Sequence, residues 1–252
     1  MTLYKGDCLE VMKSIPDGSI DAIITDPPYG TTACKWDSVI DFELMWEQLN
    51  RIVKPNGAIV LFGSEPFSSA LRMSNIKNYK YDWIWEKNRG SNFALLKYQP
   101  FKEHEIVSVF SNKTHNYYPI KQVRKGKGLE RTKHLVKYDN KSEHNYISNK
   151  KITVNKLSEL RYPSSVQKFN TEVGKHPTQK PVALMEYLIK TYTNENETVL
   201  DFTMGSGSTG VAAKNTNRNF IGIEQDENYF KIAEERINKQ EKQLKILWLY
   251  TV

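Results

Sequence analysis

A buried strand that ends in a rigid polar turn is predicted from Ile20-Asp21-Ala22-Ile23-Ile24-Thr25-Asp26-Pro27-Pro28-Tyr29. The first six residues form a short apolar run rich in branched side chains, which is typical of a buried strand. The two prolines stop that strand and stiffen the backbone beyond it. Open α/β sheets bind ligands at the carboxyl ends of their strands, so Asp26, Pro27, Pro28 and Tyr29 are candidate catalytic residues. The alternative is a simple strand-to-loop turn with a helix-capping aspartate.

Strands and helices alternate on both sides of a basic middle segment, which predicts an α/β fold with a doubly wound, mostly parallel sheet. Pro55-Asn56-Gly57 is expected to end a helix that begins near Phe42. The apolar tail 244–252 is compatible with an edge strand or with an interface element. The predicted strands are 3–5, 20–25, 58–62, 82–86, 105–110, 198–202 and 219–224, and the predicted helices are 42–53, 66–74, one with Pro181 in its first turn, one that follows the glycine-rich turn after strand 198–202, and one over 226–242.

The composition indicates a globular protein of the cytoplasm. The 252 residues are sufficient for one large domain or for a domain with an insertion. No apolar run is long enough to span a membrane, and the amino-terminal residues do not have the pattern of a signal peptide. The only cysteines, Cys8 and Cys34, give neither a disulfide framework nor the spacing of a metal site. We therefore expect no membrane partner.

Positive charge is concentrated in residues 112–170. This segment has fourteen lysines and arginines against four acids, a net charge of +10, whereas the whole chain carries +7. Such a surface favours phosphate binding, and the tyrosines and asparagines among the lysines favour nucleic acid. A solvated insertion without a ligand is the alternative. We therefore divide the chain into residues 1–111, a basic insertion over residues 112–170, and residues 171–252.

A second candidate site follows the predicted strand 198–202. The sequence Asp201-Phe202-Thr203-Met204-Gly205-Ser206-Gly207-Ser208-Thr209-Gly210 has the glycine spacing of a nucleotide-binding turn, and Glu224 follows Gly205 by 19 residues. An acid in that position can hold both ribose hydroxyls. The Asp201 carboxylate would repel a pyrophosphate but suit a cationic ligand. Only about forty residues follow Gly210, which is too few to complete an NAD-binding domain that starts at this turn. A nucleoside that carries an amino acid fits better than a dinucleotide.

Taken together, these motifs resemble those of the beta class of DNA amino-methyltransferases. In that family an Asp-Pro-Pro-Tyr motif precedes a target-recognition region, and the S-adenosylmethionine loop comes last. Residues 26–29 match the catalytic motif, and residues 201–210 resemble the cofactor loop, although the family more often has proline at position 202 or 203. The resemblance covers residues 3–110 and 176–236, and it identifies residues 112–170 as the target-recognition insertion.

The resemblance extends to shorter elements. His176-Pro177-Thr178-Gln179-Lys180-Pro181 is similar to the element that contacts the methionine end of the cofactor, and Gly6-Asp7 matches the acidic position near the cofactor adenine. Trp85-Glu86-Lys87 and His104-Glu105 also lie where the family has comparable residues. The cofactor-binding residues implied in this way are Asp7, Cys8, Asp26, Thr178, Lys180, Asp201, Phe202, Gly205, Ser206, Gly207 and Glu224. No metal ion is required.

The family also implies roles for individual residues. Glu224 would hold the ribose hydroxyls, Asp7 would bind the adenine amine, and Thr178 and Lys180 would lie near the methionine carboxylate of S-adenosylmethionine. For Lys180, a surface position at the start of a helix is the alternative. Cys8 and Cys34 are expected to be packing residues, since neither has the Pro-Cys context of the enzymes that methylate cytosine C5.

The implied reaction is methyl transfer from S-adenosylmethionine to the N6 amine of an adenine flipped out of duplex DNA. The lone pair of this amine is delocalised into the base. The Asp26 carboxylate and the Pro27 carbonyl would accept hydrogen bonds from the amine, free the lone pair and stabilise the charge that develops on nitrogen. Tyr29 would stack on the base. The aspartate of the motif favours adenine, with N4 of cytosine as the alternative.

Other functions stay open at this point. They are an RNA or protein methyltransferase, an NAD-dependent oxidoreductase built on the glycine-rich turn, and a non-catalytic DNA-binding module. The basic insertion favours duplex DNA over RNA or protein, and the intact Asp26 and Glu224 argue against a module without catalysis. The sequence leaves open the recognition site, a cognate restriction endonuclease as partner, and a homodimer, which is frequent in the family.

Overall fold

The computed structural model of the protein describes residues 1–30, 38–125, 136–137, 153–154, 159–172 and 179–249. The predicted site residue Thr178 and the predicted packing residue Cys34 lie outside these ranges. The chain divides into two compact units, one formed by Met1–Tyr118 with Ser165–Val252 and the other by Pro119–Ser164. The functional division into residues 1–111, 112–170 and 171–252 stays a prediction.

Strands and helices alternate in the first unit, as the sequence predicts. The strands of the described chain are β1 (Thr2–Lys5), β2 (Ile20–Thr25), β3 (Val53–Gly63), β4 (Tyr79–Glu86), β5 (His104–Phe110), β6 (Gln122–Val123), β7 (Val136–Lys137), β8 (Thr153–Val154), β9 (Leu160–Arg161), β10 (Val166–Lys168), β11 (Thr198–Asp201) and β12 (Asn219–Glu224). The α-helices are α1 (Cys8–Met12), α2 (Phe42–Ile52), α3 (Phe67–Ser74), α4 (Val182–Tyr192), α5 (Ser208–Asn215) and α6 (Glu227–Leu249). In the second unit β6 pairs with β9 and β7 pairs with β8, both antiparallel.

Eight strands of the first unit form one sheet in the order β1-β12-β11-β2-β3-β5-β4-β10. The neighbours from β1 to β3 are all parallel, and β10 is parallel to β4. Only β5 runs against its neighbours β3 and β4. The predicted α/β class with a mostly parallel sheet is therefore confirmed.

Helices cover both faces of this sheet, which makes it doubly wound. Strand β2 is buried along its whole length, and its side chains alternate between two hydrophobic layers. Ala22 and Ile24 belong to the layer that contains Leu188 of α4 and Ile237 of α6. Ile23 belongs to the opposite layer, together with residues of α1, α2 and α3. Each fully buried isoleucine or leucine contributes about 1.5–3 kcal/mol to the stability of these layers.

The strand β3 begins earlier than the sequence predicts. Helix α2 ends at Ile52, and β3 starts at Val53, so that Pro55-Asn56-Gly57 lies inside an extended segment. A side chain at position 57 would place Cβ 2.8 Å from the carbonyl oxygen of Asp21. Glycine therefore permits the strand to pass next to β2, and a shift of register between Ile20 and Ala22 accommodates the extra residues.

Two further elements depart from the predictions. The short helix α1 was not predicted; Asp7 caps it by accepting hydrogen bonds from the backbone nitrogens of Leu9 at 2.8 Å and Glu10 at 3.2 Å. The last helix, α6, continues to Leu249, so the described part of the tail 244–252 is helical and is not an edge strand. Among the described residues, every helix is too short or too polar to cross a lipid bilayer.

The parallel strands bring the predicted motifs to one edge of the sheet. Asp201 is the last residue of β11 and Glu224 is the last residue of β12. Asp26 directly follows β2, and Asp7 follows β1 by two residues. Because β1, β12, β11 and β2 are adjacent and parallel, their carboxyl ends lie side by side.

Substitution of Gly207 tests whether helix α6 constrains the glycine-rich turn. Its φ is +79°, and a Cβ would lie 2.9 Å from Cβ of Ala233 in α6. We expect Gly207→Ala to lower the free energy of unfolding by about 3 kcal/mol, because a left-handed backbone and an overpacked contact both add cost. Gly18 is the matched control, since its φ is +57° but nothing lies within 4 Å of its Cβ position. Gly18→Ala should cost only about 1 kcal/mol in urea unfolding. Equal losses would show that Gly207 is not constrained by α6.

Candidate active site

A cavity of about 1060 Å³ opens at the carboxyl edge of the sheet. This volume is at the upper end of ligand pockets and has room for a nucleoside cofactor together with a base. The predicted residues that line it are Asp7, Cys8, Asp26, Pro27, Pro28, Tyr29, Lys180, Asp201, Phe202, Gly205, Ser206 and Glu224. Gly207 is not part of the lining and instead packs against α6.

The turn that carries Asp26 is tied to the glycine-rich loop. The Thr203 hydroxyl donates to the backbone carbonyl of Asp26 at 3.1 Å. Its oxygen also lies 2.7 Å from the hydroxyl oxygen of Thr25. Thr25 in turn donates to the Asp201 carboxylate at 2.5 Å. These side-chain bonds hold the two predicted motifs against each other at the ends of the adjacent strands β2 and β11.

Asp201 acts as the anchor of this arrangement. Its side chain is buried, and besides Thr25 it accepts hydrogen bonds from the Thr209 hydroxyl at 2.5 Å and the Thr203 backbone nitrogen at 3.2 Å. Burial raises the pKa of Asp201 to about 6, against the opposing effect of the bonds from Thr209 and Thr25. The donors that satisfy this carboxylate all belong to the protein, and its predicted role toward a ligand ammonium group stays a prediction.

Four charged side chains with alternating sign line up beside the Asp26 turn. Lys180 forms an ion pair with Oδ2 of Asp26, and its Nζ lies 3.3 Å from Oε2 of Glu105. Oε1 of Glu105 pairs with Lys87. We call Lys87, Glu105, Lys180 and Asp26 the charge ladder. Only 7% of the Lys180 side chain is exposed, so the alternative of a surface lysine at a helix start is wrong.

In the charge ladder, burial and ion pairing shift the pKa of Asp26, of Glu105 and of Lys180 in opposite directions. Burial raises the pKa of Asp26, and the nearby Lys180 offsets this only in part, so the pKa stays above its ordinary value. Burial also acts to raise the pKa of Glu105, but Lys180 and Lys87 outweigh it and hold that pKa below its ordinary value. Burial would lower the pKa of Lys180, but its two carboxylate partners raise it. Lys180 is therefore a cation, and Asp26 accepts a proton more readily than Glu105.

The Tyr29 side chain fixes the orientation of the Asp26 carboxylate. Its hydroxyl donates to Oδ1 of Asp26, while Lys180 binds the other carboxylate oxygen. The Tyr29 ring contacts Phe67, with 5.0 Å between the ring centroids. The predicted stacking of Tyr29 on a base stays a prediction.

The Glu224 carboxylate is held by backbone N–H groups at the end of β12. Oε2 accepts from the nitrogen of Gly205 at 2.9 Å, and Oε1 accepts from the nitrogen of Asp226 at 2.8 Å. Burial raises the pKa of Glu224, and the backbone bonds from Asp226 and Gly205 lower it. Each carboxylate oxygen can accept more than one hydrogen bond, so two further hydroxyl donors can bind here.

Asp7 and Cys8 lie on the same side of the cavity as Glu224. Oδ1 of Asp7 caps α1, which leaves Oδ2 as an acceptor with no partner among the described residues. Burial, reinforced by the charge of Asp7, raises the pKa of the Cys8 thiol to about 12. The thiol is therefore protonated at neutral pH, as a packing residue would be, rather than a reactive thiolate.

The segment before α4 reaches the glycine-rich loop through Ser206. The Ser206 hydroxyl donates to Oε1 of Gln179 at 3.2 Å and accepts from Arg236 at 2.9 Å. The motif over residues 176–181 thus supplies two neighbours of the cavity, Gln179 to this loop and Lys180 to Asp26. The predicted contact of Lys180 with a methionine carboxylate stays a prediction.

Lys87 and Glu105 both line the cavity, but the sequence predicts no site role for either beyond a position comparable to one in the family. Their pairing depends on the register of β4 with β5, where Trp85 is opposite Glu105. The one local signal was a charged residue next to each of two apolar strands, which is equally typical of a solvated strand end.

The charge ladder predicts a strong and pH-dependent role for Lys180 in stability. Lys180→Met leaves two largely buried carboxylates without their shared cation, so we expect a loss of about 3 kcal/mol in the free energy of unfolding near pH 7. The loss should be smaller at pH 5 than at pH 7, because burial raises the pKa of Asp26 and a lower pH favours its uncharged form. Urea unfolding at both pH values measures this. Lys168→Met removes an exposed pair with Glu86 and should change stability little at either pH. A loss for Lys180→Met that is independent of pH would contradict the ladder.

The raised pKa of Asp201 predicts a second dependence of the stability on pH. Its pKa is about 6 in the folded protein against an ordinary value of 3.8, so protonation favours the fold. This stabilisation is complete below about pH 4 and is lost as the pH rises through 6. Asparagine carries no charge, and the stability of Asp201→Asn relative to the wild type should improve by about 1 kcal/mol between pH 5 and pH 8. Thermal or urea unfolding tests this, and a constant difference across that range would contradict it.

Comparisons with known proteins agree with this geometry. A family model described as DNA methylase matches residues 20–235. The Type II methyltransferase M.HinfI of Haemophilus influenzae is 30% identical over 269 residues, in an alignment that covers 94% of this chain and 68% of the relative. The predicted family resemblance is therefore confirmed.

Two solved structures share the fold. The crystal structure of the M1.HpyAVI-SAM complex is 30% identical with a TM-score of 0.60, over 93% of this chain and 98% of that chain. The PvuII DNA methyltransferase, described as cytosine-N4-specific, has a TM-score of 0.64 over 93% of this chain and 85% of that chain. At 17% identity it shows the fold alone.

The family match decides between the functional alternatives at a coarse level. A DNA methylase model that covers most of the chain favours methyl transfer over the NAD-dependent oxidoreductase, the RNA or protein methyltransferase and the non-catalytic module. The roles of the individual site residues stay predictions. The chain belongs to the family of DNA methylases that modify the amine at N6 of adenine or at N4 of cytosine.

Proposed function

We propose that this protein transfers a methyl group from S-adenosylmethionine to the N6 amine of an adenine extruded from duplex DNA. The observation that carries the proposal is the partly buried Asp26 carboxylate, which lines the same cavity as Glu224 and Asp7. An acceptor for an amine and two acceptors for a nucleoside thus lie at the ends of adjacent strands. One cavity can hold both substrates of the reaction.

The donor set of the cavity fits S-adenosylmethionine. Glu224 is oriented by two backbone N–H groups and keeps acceptor capacity for the ribose hydroxyls. The second oxygen of Asp7 can accept from the adenine amine, and Phe202 and Gly205 line the same cavity. The similar structure of M1.HpyAVI is described as a complex with SAM. When bound, S-adenosylmethionine supplies the methyl group.

Asp26 is suited to activate a poorly nucleophilic amine. One amine hydrogen is donated to its carboxylate and the other to the Pro27 carbonyl, so the lone pair withdraws from the base and the nitrogen approaches tetrahedral geometry. The same two acceptors stabilise the positive charge that develops on nitrogen. Burial raises the pKa of Asp26, which makes it a better acceptor for the released proton than an exposed aspartate.

Lys180 prevents premature protonation of Asp26. A buried carboxylate without a cation would take up a proton near neutral pH and lose its ability to accept from the amine. The ion pair with Lys180 opposes this, and Tyr29 keeps one oxygen of Asp26 in a defined direction. The base must leave the duplex to reach this turn, since an exocyclic amine is inaccessible within the stack.

Adenine is favoured over cytosine by the aspartate at position 26. In the family that this motif resembles, the first position is more often serine where cytosine N4 is methylated. The chemistry of the two amines is the same, and cytosine N4 is the second candidate because its amine can donate to the same acceptors. Residues 112–170, with their net charge of +10, are proposed to bind the DNA and recognise its sequence. A Type II relative makes a cognate restriction endonuclease a reasonable partner to seek.

Methylation of mixed-sequence duplex DNA tests the proposal. The protein is incubated with unmethylated DNA and isotopically labelled S-adenosylmethionine, and the nucleosides are analysed by mass spectrometry. N6-methyladenine is the expected product. N4-methylcytosine would keep the mechanism and change the base, whereas the absence of any labelled nucleoside from diverse genomic DNA would contradict the function.

Two isosteric substitutions separate catalysis from cofactor binding. Asp26→Asn should lower the rate of methyl transfer about 10³-fold, because an amide accepts the amine hydrogen weakly and cannot take up the proton. Its calorimetric affinity for S-adenosylmethionine should stay near that of the wild type. Glu224→Gln should show the reverse, with an affinity about tenfold weaker and a smaller effect on the rate at saturation. An active Asp26→Asn enzyme would refute the role of Asp26.

A further inference from the structure

The segment over residues 87–102 exposes apolar side chains beside the cavity; we call it the rim loop. It joins β4 to β5 and contains the 3₁₀ turn Phe93–Leu95. Tyr98 is 85% exposed and Phe93 is 71% exposed, and Leu95 and Leu96 are also exposed. Clustered apolar exposure of this kind indicates a contact surface rather than chance.

Hydrogen bonds and packing give the rim loop a defined shape. The Asn92 side chain bridges its two arms by donating to the carbonyl of Pro100 at 2.9 Å and accepting from the nitrogen of Lys102 at 2.7 Å. Tyr98 is held at the tip because its nitrogen donates to the carbonyl of Leu95 at 2.9 Å. A Cβ on Gly90 would lie 2.6 Å from the Phe101 ring, so the base of the loop is closely packed. The exposed side chains are therefore presented by an ordered backbone.

The rim loop belongs to the same wall as the catalytic turn. Asn92, Leu95 and Gln99 line the cavity together with Asp26. Tyr98 is the sequence neighbour of Gln99 and is exposed to solvent, so its ring is available to a ligand that approaches this part of the cavity lining. The charge ladder connects the two regions, since Lys87 at the start of the loop pairs with Glu105.

The charge of the rim loop matches a polyanion. Residues 87–102 contain Lys87, Arg89, Lys97 and Lys102 and have no acidic residue. Lys97 and Arg89 are exposed, so they are available to phosphates on either side of the aromatic tip. A second copy of this basic loop would be repelled, whereas duplex DNA offers phosphates for the cations and base faces for the aromatic ring.

We propose that the rim loop is a wedge that enters the base stack of duplex DNA, with Tyr98 stacking in the space left by the extruded base. The inference rests on the proposed function, which requires extrusion, and it adds the element that stabilises the opened duplex. Apolar and aromatic side chains that enter base steps in this way compensate for lost stacking. The wedge acts on the DNA and does not contact the reacting amine.

The test compares a paired with an already unpaired target base. Sequencing of plasmid DNA methylated by the wild type first identifies the recognition site. Two duplexes are then made, one fully paired and one with an abasic position opposite the target base. Tyr98→Ala should lower kcat/KM on the paired duplex about tenfold or more, the usual effect of losing one base–aromatic stack. On the abasic duplex its rate should return close to the wild-type rate, because little extrusion energy is needed there.

Two control variants distinguish the loss of the aromatic ring from general effects of a surface substitution. Tyr98→Phe retains the ring and should behave as the wild type, and Met73→Ala, which removes an apolar side chain that is 70% exposed on α3, should change neither substrate. Calorimetry with S-adenosylmethionine should give the same affinity for all variants. Equal losses of Tyr98→Ala on both duplexes, or no loss on either, would overturn the wedge.

Two further outcomes have distinct meanings. If Tyr98→Ala changes the mass measured by light scattering in the absence of DNA, the rim loop is an interface between copies and the wedge is wrong. If the wild type methylates neither duplex nor plasmid DNA, the proposed function itself fails, and the wedge fails with it. If the wild type is active but Tyr98→Ala loses the same activity on the paired and the abasic duplex, the wedge is refuted and the proposed function is not.

Discussion

The buried carboxylate of Asp201 is the interaction on which the rest of the site depends. It accepts from Thr25 at the end of β2, from Thr209 at the start of α5 and from the backbone of Thr203 between them. Thr25 and Asp201 are 176 residues apart in sequence, yet one hydrogen bond of 2.5 Å joins them. Because Thr203 also binds the carbonyl of Asp26, the catalytic turn and the glycine-rich loop have one shared support. Under the proposed function, this shared support places a cofactor held by the glycine-rich loop beside a base held by the Asp26 turn.

The charge ladder gives the same neighbourhood its electrostatic balance. Two cations and two anions alternate, so a largely dehydrated wall has no net charge, and each member is acceptable only because its neighbours are present. Asp26 stands at the end of this series, with Lys180 as its one charged partner and the uncharged Tyr29 hydroxyl on its other carboxylate oxygen. In the proposed mechanism Asp26 is the member that shares its charge with the incoming amine, so activation and stability would depend on the same four side chains.

The sequence was sufficient for the parts that depend on local pattern. The branched run of β2, the prolines after Thr25 and the acid at the end of β12 each follow from short-range rules, and parallel strands then bring them together. The pairing of Lys87, Glu105 and Lys180 was not predictable in this way, because it depends on the register of β4 with β5 and on a segment that arrives from beyond the insertion. The early start of β3 likewise reflects the tight passage of Gly57 beside Asp21, which no local pattern encodes. Gly207 was predicted to bind the cofactor, which stays a prediction, and its small size also admits α6, a packing role that no local pattern indicates.

The two points at which the chain leaves and re-enters the first unit are both fastened to it. Before the second unit, the nitrogen of Tyr118 donates to the carbonyl of Thr191 in α4 at 2.8 Å, and after it, the carbonyl of Ser165 accepts from Ile84 in β4 at 2.8 Å. The eight-stranded sheet is thus complete whatever lies between these clamps. The entropy of closing a loop grows only slowly with its length, so the enclosed segment can be lengthened, shortened or exchanged at small thermodynamic expense. If the enclosed segment recognises the DNA, as proposed, target recognition can evolve independently of the proposed methyl-transfer site.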